Sequence, residues 1–269
     1  MITLVAAVLL GAIQGVTEFL PVSSSAHLIL ARAFFGWDAE VFGLPFDVAL
    51  HVGTLTAVAV YFWTDVRAML VAAPTMMTAR SGAGKLARLI AIGTVPIIIV
   101  GLLFATWLET HLRTPAVIAV TLAVGGFAML LAERIGSQGR GEESLTAGDA
   151  VLMGFGQATA LVPGMSRSGS TITMGMFLGL TRASAARFSF LLGIPATAAA
   201  AGREGMHLLQ TGLSRQDMVL FAIGMLTSGI VGYLTIKYFL RFVAGHRLDL
   251  FAYYRLALAA GTAVWLVRS

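Results

Sequence analysis

Long apolar runs separated by short polar segments dominate this chain. Runs at 46–63, 88–107, 115–132, 187–202, 218–240 and 251–267 are each close to one membrane crossing, for which a helix needs about 20 apolar residues. Two further apolar stretches, 1–35 and 150–180, are interrupted. Gln14, Glu18, Pro21, Ser23, Ser24, Ser25 and His27 break the first; Pro163, Gly164, Ser166, Arg167 and Ser168 break the second. The pattern predicts an all-α polytopic membrane protein of six transmembrane helices plus two re-entrant helix pairs.

The order of elements repeats. An interrupted segment followed by three spans occurs twice, giving a first repeat over 1–135, a linker over 136–147 and a second repeat over 148–269 in a single membrane domain. An offset of 142 pairs Pro21 with Pro163, Ser24 with Ser166 and Phe46 with Phe188. An odd number of spans per half turns the second half upside down, and inverted repeats with broken helices place a polar site at their interface. With the interrupted segments re-entering, both termini share one side. Most loop cations, from Arg67 and Lys85 to Lys237 and Arg247, fall opposite the termini, where Arg32, Arg113, Arg203, Arg215 and Arg268 lie. The positive-inside rule therefore puts the termini outside. No basic residue precedes Arg32 and Glu18 sits within the first run, so this segment is expected to be retained structure rather than a cleaved leader.

Composition sharpens the picture. The 269 residues are 58% hydrophobic and 12% charged, against about 25% charged in a soluble domain. Mean hydropathy is +0.87. Lipid is thus the solvent for most of the surface. The net charge of +5 is scattered between apolar runs and forms no stripe, so nucleic acid is not an expected partner. With no cysteine, disulfide frameworks and thiolate metal sites are excluded.

The two interruptions hold the candidate chemistry. Gln14 and Glu18 are four apart and share a helix face. A carboxylate in an apolar run is costly unless it is paired or lines a wet cavity. Pro21 breaks the helix and suits the start of a second one, where free N–H groups favour an anion. Ser24 and His27, three apart, can face one cavity. In the second segment Pro163 and Gly164 precede Ser166, Arg167, Ser168, Ser170 and Thr171. Hydroxyls and N–H groups at a helix start cradle phosphate oxygens, and the Arg167 guanidinium is a planar fork matched to phosphate. Singly, each serine reads as bonded to its own helix, His27 as a packing group and Arg167 as snorkelling; together they read as a site. Asp47 and His51, at the start of the first span, either bond the site or cap a helix. Gly125 and Gly126 read as close helix packing, and Trp37, Trp63 and Trp107 as interface anchors.

At these motifs the sequence resembles the undecaprenyl-diphosphatase family, the bacitracin-resistance membrane phosphatases of bacteria. The family patterns Glu/Gln-x-x-x-Glu, Pro-x-Ser-Ser-x-x-His and Pro-Gly-x-Ser-Arg-Ser-x-x-Thr stand here at Gln14 to Glu18, Pro21 to His27 and Pro163 to Thr171. The resemblance extends through Phe46 to Ala57 (FDVALHVGTLTA) and covers in effect the whole chain. It implies hydrolysis of undecaprenyl diphosphate to the monophosphate and phosphate on the outer face of the plasma (inner) membrane, which recycles the cell-wall lipid carrier and confers bacitracin resistance. It also implies a divalent metal, Mg2+ or Ca2+, at Glu18 and Gln14. Many members have Glu where Gln14 stands, so the metal site here has one charge fewer.

On this reading Glu18 and Gln14 bind the metal, and Ser23, Ser25, Ser166, Ser168, Thr171 and Gly164 bind the diphosphate. Arg167 stabilises the transferring phosphoryl group. Ser24 is the candidate nucleophile with His27 as base or acid; the competing version has His27 attack directly or activate water while Ser24 only binds. A secondary transporter or flippase fits the same architecture, but a carrier has no need of a nucleophile beside a base. A scaffold would tolerate polar substitutions in both breaks. A homodimer is compatible with all three.

Overall fold

The computed structural model describes residues 2–38, 41–211 and 214–268. The chain order is α1 (Ile2–Phe19), α2 (Ser24–Phe35), α3 (Leu44–Tyr61), α4 (Trp63–Ala72), α5 (Gly82–Leu112), α6 (Pro115–Ile135), α7 (Ala147–Ala158), α8 (Arg167–Phe177), α9 (Arg182–Thr211), α10 (Arg215–Val243) and α11 (Asp249–Arg268). Among the described residues the only sheet-like feature is one bridge between Arg140 and Leu180. Six helices, α3, α5, α6, α9, α10 and α11, are long and apolar enough to cross a membrane. Their outward faces expose large apolar side chains such as Leu102, Val120, Phe127 and Ile230. The chain is an all-helical, multi-pass membrane protein.

The six expected spans are all present, and the five after the first run longer than expected. One short helix was not expected. The run 46–63 ends at Tyr61, and α4 follows a bend at Phe62 with no buried residue of its own. Its mix of Trp63, Asp65, Arg67 and exposed Leu70 and Val71 has no clean apolar face to read.

Both interrupted segments are helix–elbow–helix units. Proline disfavours helical geometry in the residue before it. α1 accordingly ends before Pro21, and Val162, before Pro163, is extended. The segment containing α7 and α8 also returns to where it began. Arg140, before it, accepts from Thr181 N–H and donates its own N–H to Gly179 O, both after it. Likewise Ala6 and Ala7 of α1 share a core cluster with Phe42 and Phe46, which follow α2. Both returns are compatible with re-entrant pairs.

Helix packing exchanges between the halves in a way compatible with a two-fold repeat. α1 packs on α10, and α7 packs on α5. A Cβ at Gly11 of α1 would lie 2.7 Å from Gly224 O of α10, and one at Gly154 of α7 would lie 2.2 Å from Gly93 O of α5. A Cβ at Gly224 would then meet Leu50, and one at Gly93 would meet Leu192. Glycine at these four positions lets the backbones touch.

Candidate active site

Each elbow ends in a strained serine. Among described non-glycine residues, only Ser23, Gln138 and Ser166 have positive φ. Ser23 (φ 76°) and Ser166 (φ 69°) are the N-caps of α2 and α8. Such backbone costs about 1–3 kcal/mol per residue and persists where the surroundings enforce it. Ser23 Oγ accepts from Ala26 N–H, and Ser166 Oγ accepts from Gly169 N–H. The earlier N–H groups of each first turn have no helical partner. The capping serines also pair alike, Ser23 with Ser25 at 3.2 Å and Ser166 with Ser168 at 3.3 Å.

This geometry corrects the register of the repeat. By cap geometry Ser166 matches Ser23 rather than Ser24, an offset of 143 that Gly154 with Gly11 also follows, while Pro163 stays 142 from Pro21. Arg167 then corresponds to Ser24, and Gln157 to Gln14. Both glutamines are fully buried, and each leaves side-chain polar atoms without a partner.

The elbows clasp each other. Ser168 Oγ donates to Leu20 O at 3.0 Å, and Gly164 N–H reaches Ser25 Oγ at 3.5 Å. Beneath them lies Arg255 of α11, fully buried and with no carboxylate partner among the described residues. Its guanidinium donates to the carbonyls of Pro21, Gly164 and Met165 on the two elbows and of Thr121 and Leu122 on α6, at 3.1–3.3 Å. Gly125 makes room for it, since a Cβ there would lie 2.0 Å from Nη2. Arg255 escaped the sequence reading although its signal was available: a lone cation inside the apolar run 251–267, where a charge needs a reason.

Glu18 is the hub. Its Oε1 accepts from Arg167 Nη2 at 2.5 Å. Its Oε2 accepts from Ser24 Oγ at 2.6 Å and from Gln14 Nε2 at 3.0 Å, and lies 3.5 Å from His51 Nε2. Arg167 is fixed from behind by Gly193 O and Thr197 Oγ1 of α9. Glu18, Ser23, Ser24, Ser25, His51, Ser166 and Arg167 line one cleft of about 680 Å³. Its remaining wall is mostly apolar, from Ile97 to Leu102 on α5 and Ala196 to Ala201 on α9.

Other expected residues lie elsewhere. His27 Nε2 pairs with Tyr254 OH and Nδ1 with Ser23 O, both at 2.7 Å; it does not bond Ser24. Ser24 shares its proton with Glu18 instead. Thr171 is buried one turn along α8 from Arg167, with Oγ1 unpaired, and does not line the cleft. Gly164 (φ 94°) serves as an elbow, where a Cβ would strike Thr121 Oγ1. Asp47 takes Arg32 and Arg113 in a buried knot joining α2, α3 and the α5–α6 turn. His51, the weaker sequence candidate, is the histidine that faces the hub.

A divalent cation needs six or more oxygens. Among the described residues no group of three His, Asp or Glu side chains could hold one. Gln14 Oε1, however, is buried without a hydrogen-bond partner beside Glu18. Two protein oxygens suit a cation whose other ligands are phosphate oxygens and water.

Comparison with known proteins identifies the family. The family model described as bacitracin resistance protein BacA matches residues 7–261. The undecaprenyl-diphosphatase of Rubrobacter xylanophilus is 46% identical over 99% of this chain and 100% of its own. That of Thermodesulfovibrio yellowstonii is 45% identical over 94% and 93%, and that of Hahella chejuensis 45% over 96% and 97%. A match across both elbows, all six spans and the Glu18–Arg167 hub places the chain in the bacitracin resistance protein BacA family.

Proposed function

We propose that this protein hydrolyses undecaprenyl diphosphate to undecaprenyl phosphate and inorganic phosphate, recycling the cell-wall lipid carrier and so conferring bacitracin resistance. The observation that supports this most is the chain Ser24–Glu18–Arg167 on the floor of an apolar-walled cleft. A carrier for a phosphate lipid needs the guanidinium; it has no use for a hydroxyl held on a carboxylate.

The diphosphate sits over the two elbows, and its prenyl chain leaves along the apolar wall. N–H groups of both first turns and the Arg167 fork hold the terminal phosphoryl group, where negative charge gathers in the transition state. Ser24 Oγ forms a bond to the terminal phosphorus while the bridging P–O bond breaks, and undecaprenyl phosphate leaves. The serine proton passes to Glu18 Oε2. Glu18 passes that proton to the departing lipid phosphate and is a carboxylate again. Water then attacks the phosphoserine, losing its proton to Glu18, and the Ser24 Oγ–P bond breaks. Ser24 Oγ takes the proton back from Glu18, and phosphate is released. His51, near Glu18, is placed to steady that charge. His27, held by Tyr254, orients the α2 start rather than serving as the base for Ser24. A divalent cation, Mg2+ or Ca2+, would be held by Gln14 Oε1 and Glu18 and would neutralise nonbridging phosphate oxygens. The pairs α1–α2 and α7–α8 act as inverted re-entrant hairpins, and loop charge puts the cleft on the outer face of the plasma membrane.

The test is phosphate release from a C55 prenyl diphosphate by purified protein in detergent, with and without chelator. Metal-dependent release supports the phosphatase. Well-folded protein that releases none with any divalent metal contradicts it and favours the carrier.

A further inference from the structure

The cleft does not end at the catalytic floor. It continues outward along α9 and stops at Arg203, which lines the same cavity as Glu18 and Arg167. Gly193 O anchors Arg167, and Arg203 lies ten residues further along the helix, about 15 Å at 1.5 Å per residue. Ala196, Ala200 and Arg203, spaced four and three, share one face. The intervening side chains on that face are only methyl groups, so nothing plugs the path. Across the gap, a Cβ at Gly101 of α5 would meet no atom within 4 Å. The corridor from Arg167 to Arg203 is open on both walls.

Arg203 also differs from its neighbours on the terminal side. Arg32 and Arg113 share the Asp47 carboxylate. Arg203 is exposed and has no partner among the described residues. It closes the membrane-crossing part of α9, Arg182–Arg203. An exposed guanidinium, unpaired among the described residues, therefore stands at one end of a cleft that holds a second guanidinium at Arg167.

We propose that Arg203 is an outer phosphate subsite, a staging cation that binds a phosphate group at the mouth of the cleft before or after it occupies the floor. The chemistry is the same for the terminal phosphate of an arriving lipid diphosphate and for inorganic phosphate departing: a mobile oxyanion on an exposed fork of N–H donors. The contact is solvent-facing, so salt weakens it. The proposal rests on the phosphatase reading above.

The experiment uses full-length protein in detergent with Arg203→Gln and Arg203→Lys, beside wild type and Arg167→Ala. Turnover of a polyprenyl diphosphate is followed at low and high salt, and inhibition by added inorganic phosphate is measured. Arg203→Gln should change KM, the phosphate inhibition constant or both by about fivefold at low salt, as one exposed ionic contact permits. The change should shrink at high salt, and Arg203→Lys should retain most of the wild-type behaviour. A change in KM alone identifies the arriving diphosphate as the occupant; a change in phosphate inhibition alone identifies the departing product. Unchanged KM, inhibition and salt dependence would overturn the subsite and leave Arg203 as a headgroup anchor. A fall in kcat with both constants unchanged would overturn it too. Absence of wild-type turnover would instead strike the phosphatase reading, which separates the two failures.

Discussion

Arg167 is preorganised before substrate arrives: Glu18 holds one edge of its guanidinium, and Gly193 O and Thr197 Oγ1 hold the other. Fixed donors aimed at developing charge stabilise a transition state without reorganisation. Arg167→Ala should therefore lower kcat by at least about 100- to 1,000-fold, and Arg167→Lys should rescue little because an ammonium cannot match the fork. Ser24→Ala should remove any phosphoenzyme trapped by acid quench of labelled substrate. A trapped adduct that persists in Ser24→Ala would move the nucleophile elsewhere. Gln14→Glu adds a charge to the metal oxygens and should lower the metal concentration for half-maximal turnover; an unchanged or higher value would remove Gln14 from the cation. At this scale the residue types were legible because charges and hydroxyls in apolar runs demand explanation. Their partners were not. Helical spacing allowed Ser24 to face His27, but the positive-φ cap at Ser23 turns Ser24 toward Glu18, and Tyr254 from a distant helix takes the histidine.

The elements exist to hold two elbows together, and Arg255 is the pin. Removing its donors strands buried carbonyls of Pro21, Gly164 and Met165, each at a cost of about 1–3 kcal/mol. Arg255→Lys should lower the unfolding midpoint and kcat together, since three ammonium donors cannot serve the carbonyls of Pro21, Gly164, Met165, Thr121 and Leu122. Wild-type melting and turnover in that variant would contradict the pin. α7 is launched by a capping box in which Thr146 Oγ1 accepts from Asp149 N–H and Asp149 Oδ2 accepts from Thr146 N–H. Burial pushes the Asp149 carboxyl up, but Arg140 and the Thr146 donors outweigh it and hold the carboxyl below its usual value. A lowered folded value means this stabilisation is complete above the unfolded pKa, about 3.9, and is lost as pH falls through the folded one. Asp149→Ala should cost thermal stability at pH 7 and progressively less below pH 4; a pH-independent cost would count against the ion pair. The helix spans were legible from run length alone. α4 was not, because it lies against the bundle without burying a face.

Over the whole molecule the packing of the two halves is compatible with one design used twice. Gly11 against Gly224 and Gly154 against Gly93 are the same contact made by different helices. Element order suggested the repeat; at the elbows the cap serines pair at an offset of 143 and the prolines at 142, a one-residue difference that hydropathy does not show. The chain has no cysteine, so single substitutions report sidedness cleanly. Ser214→Cys should react with an impermeant maleimide in intact cells, and Gly139→Cys only after permeabilisation. The opposite pattern would reverse the outward-facing cleft.

The most direct test of the account sets wild-type protein against Arg167→Ala in one assay of phosphate release from a C55 prenyl diphosphate, with helicity and melting followed in the same samples. The account predicts metal-dependent release by the wild type and its loss in an Arg167→Ala protein that remains folded. Release at near wild-type rate by that folded variant would contradict the central claim that the two elbows form the phosphatase site around Arg167.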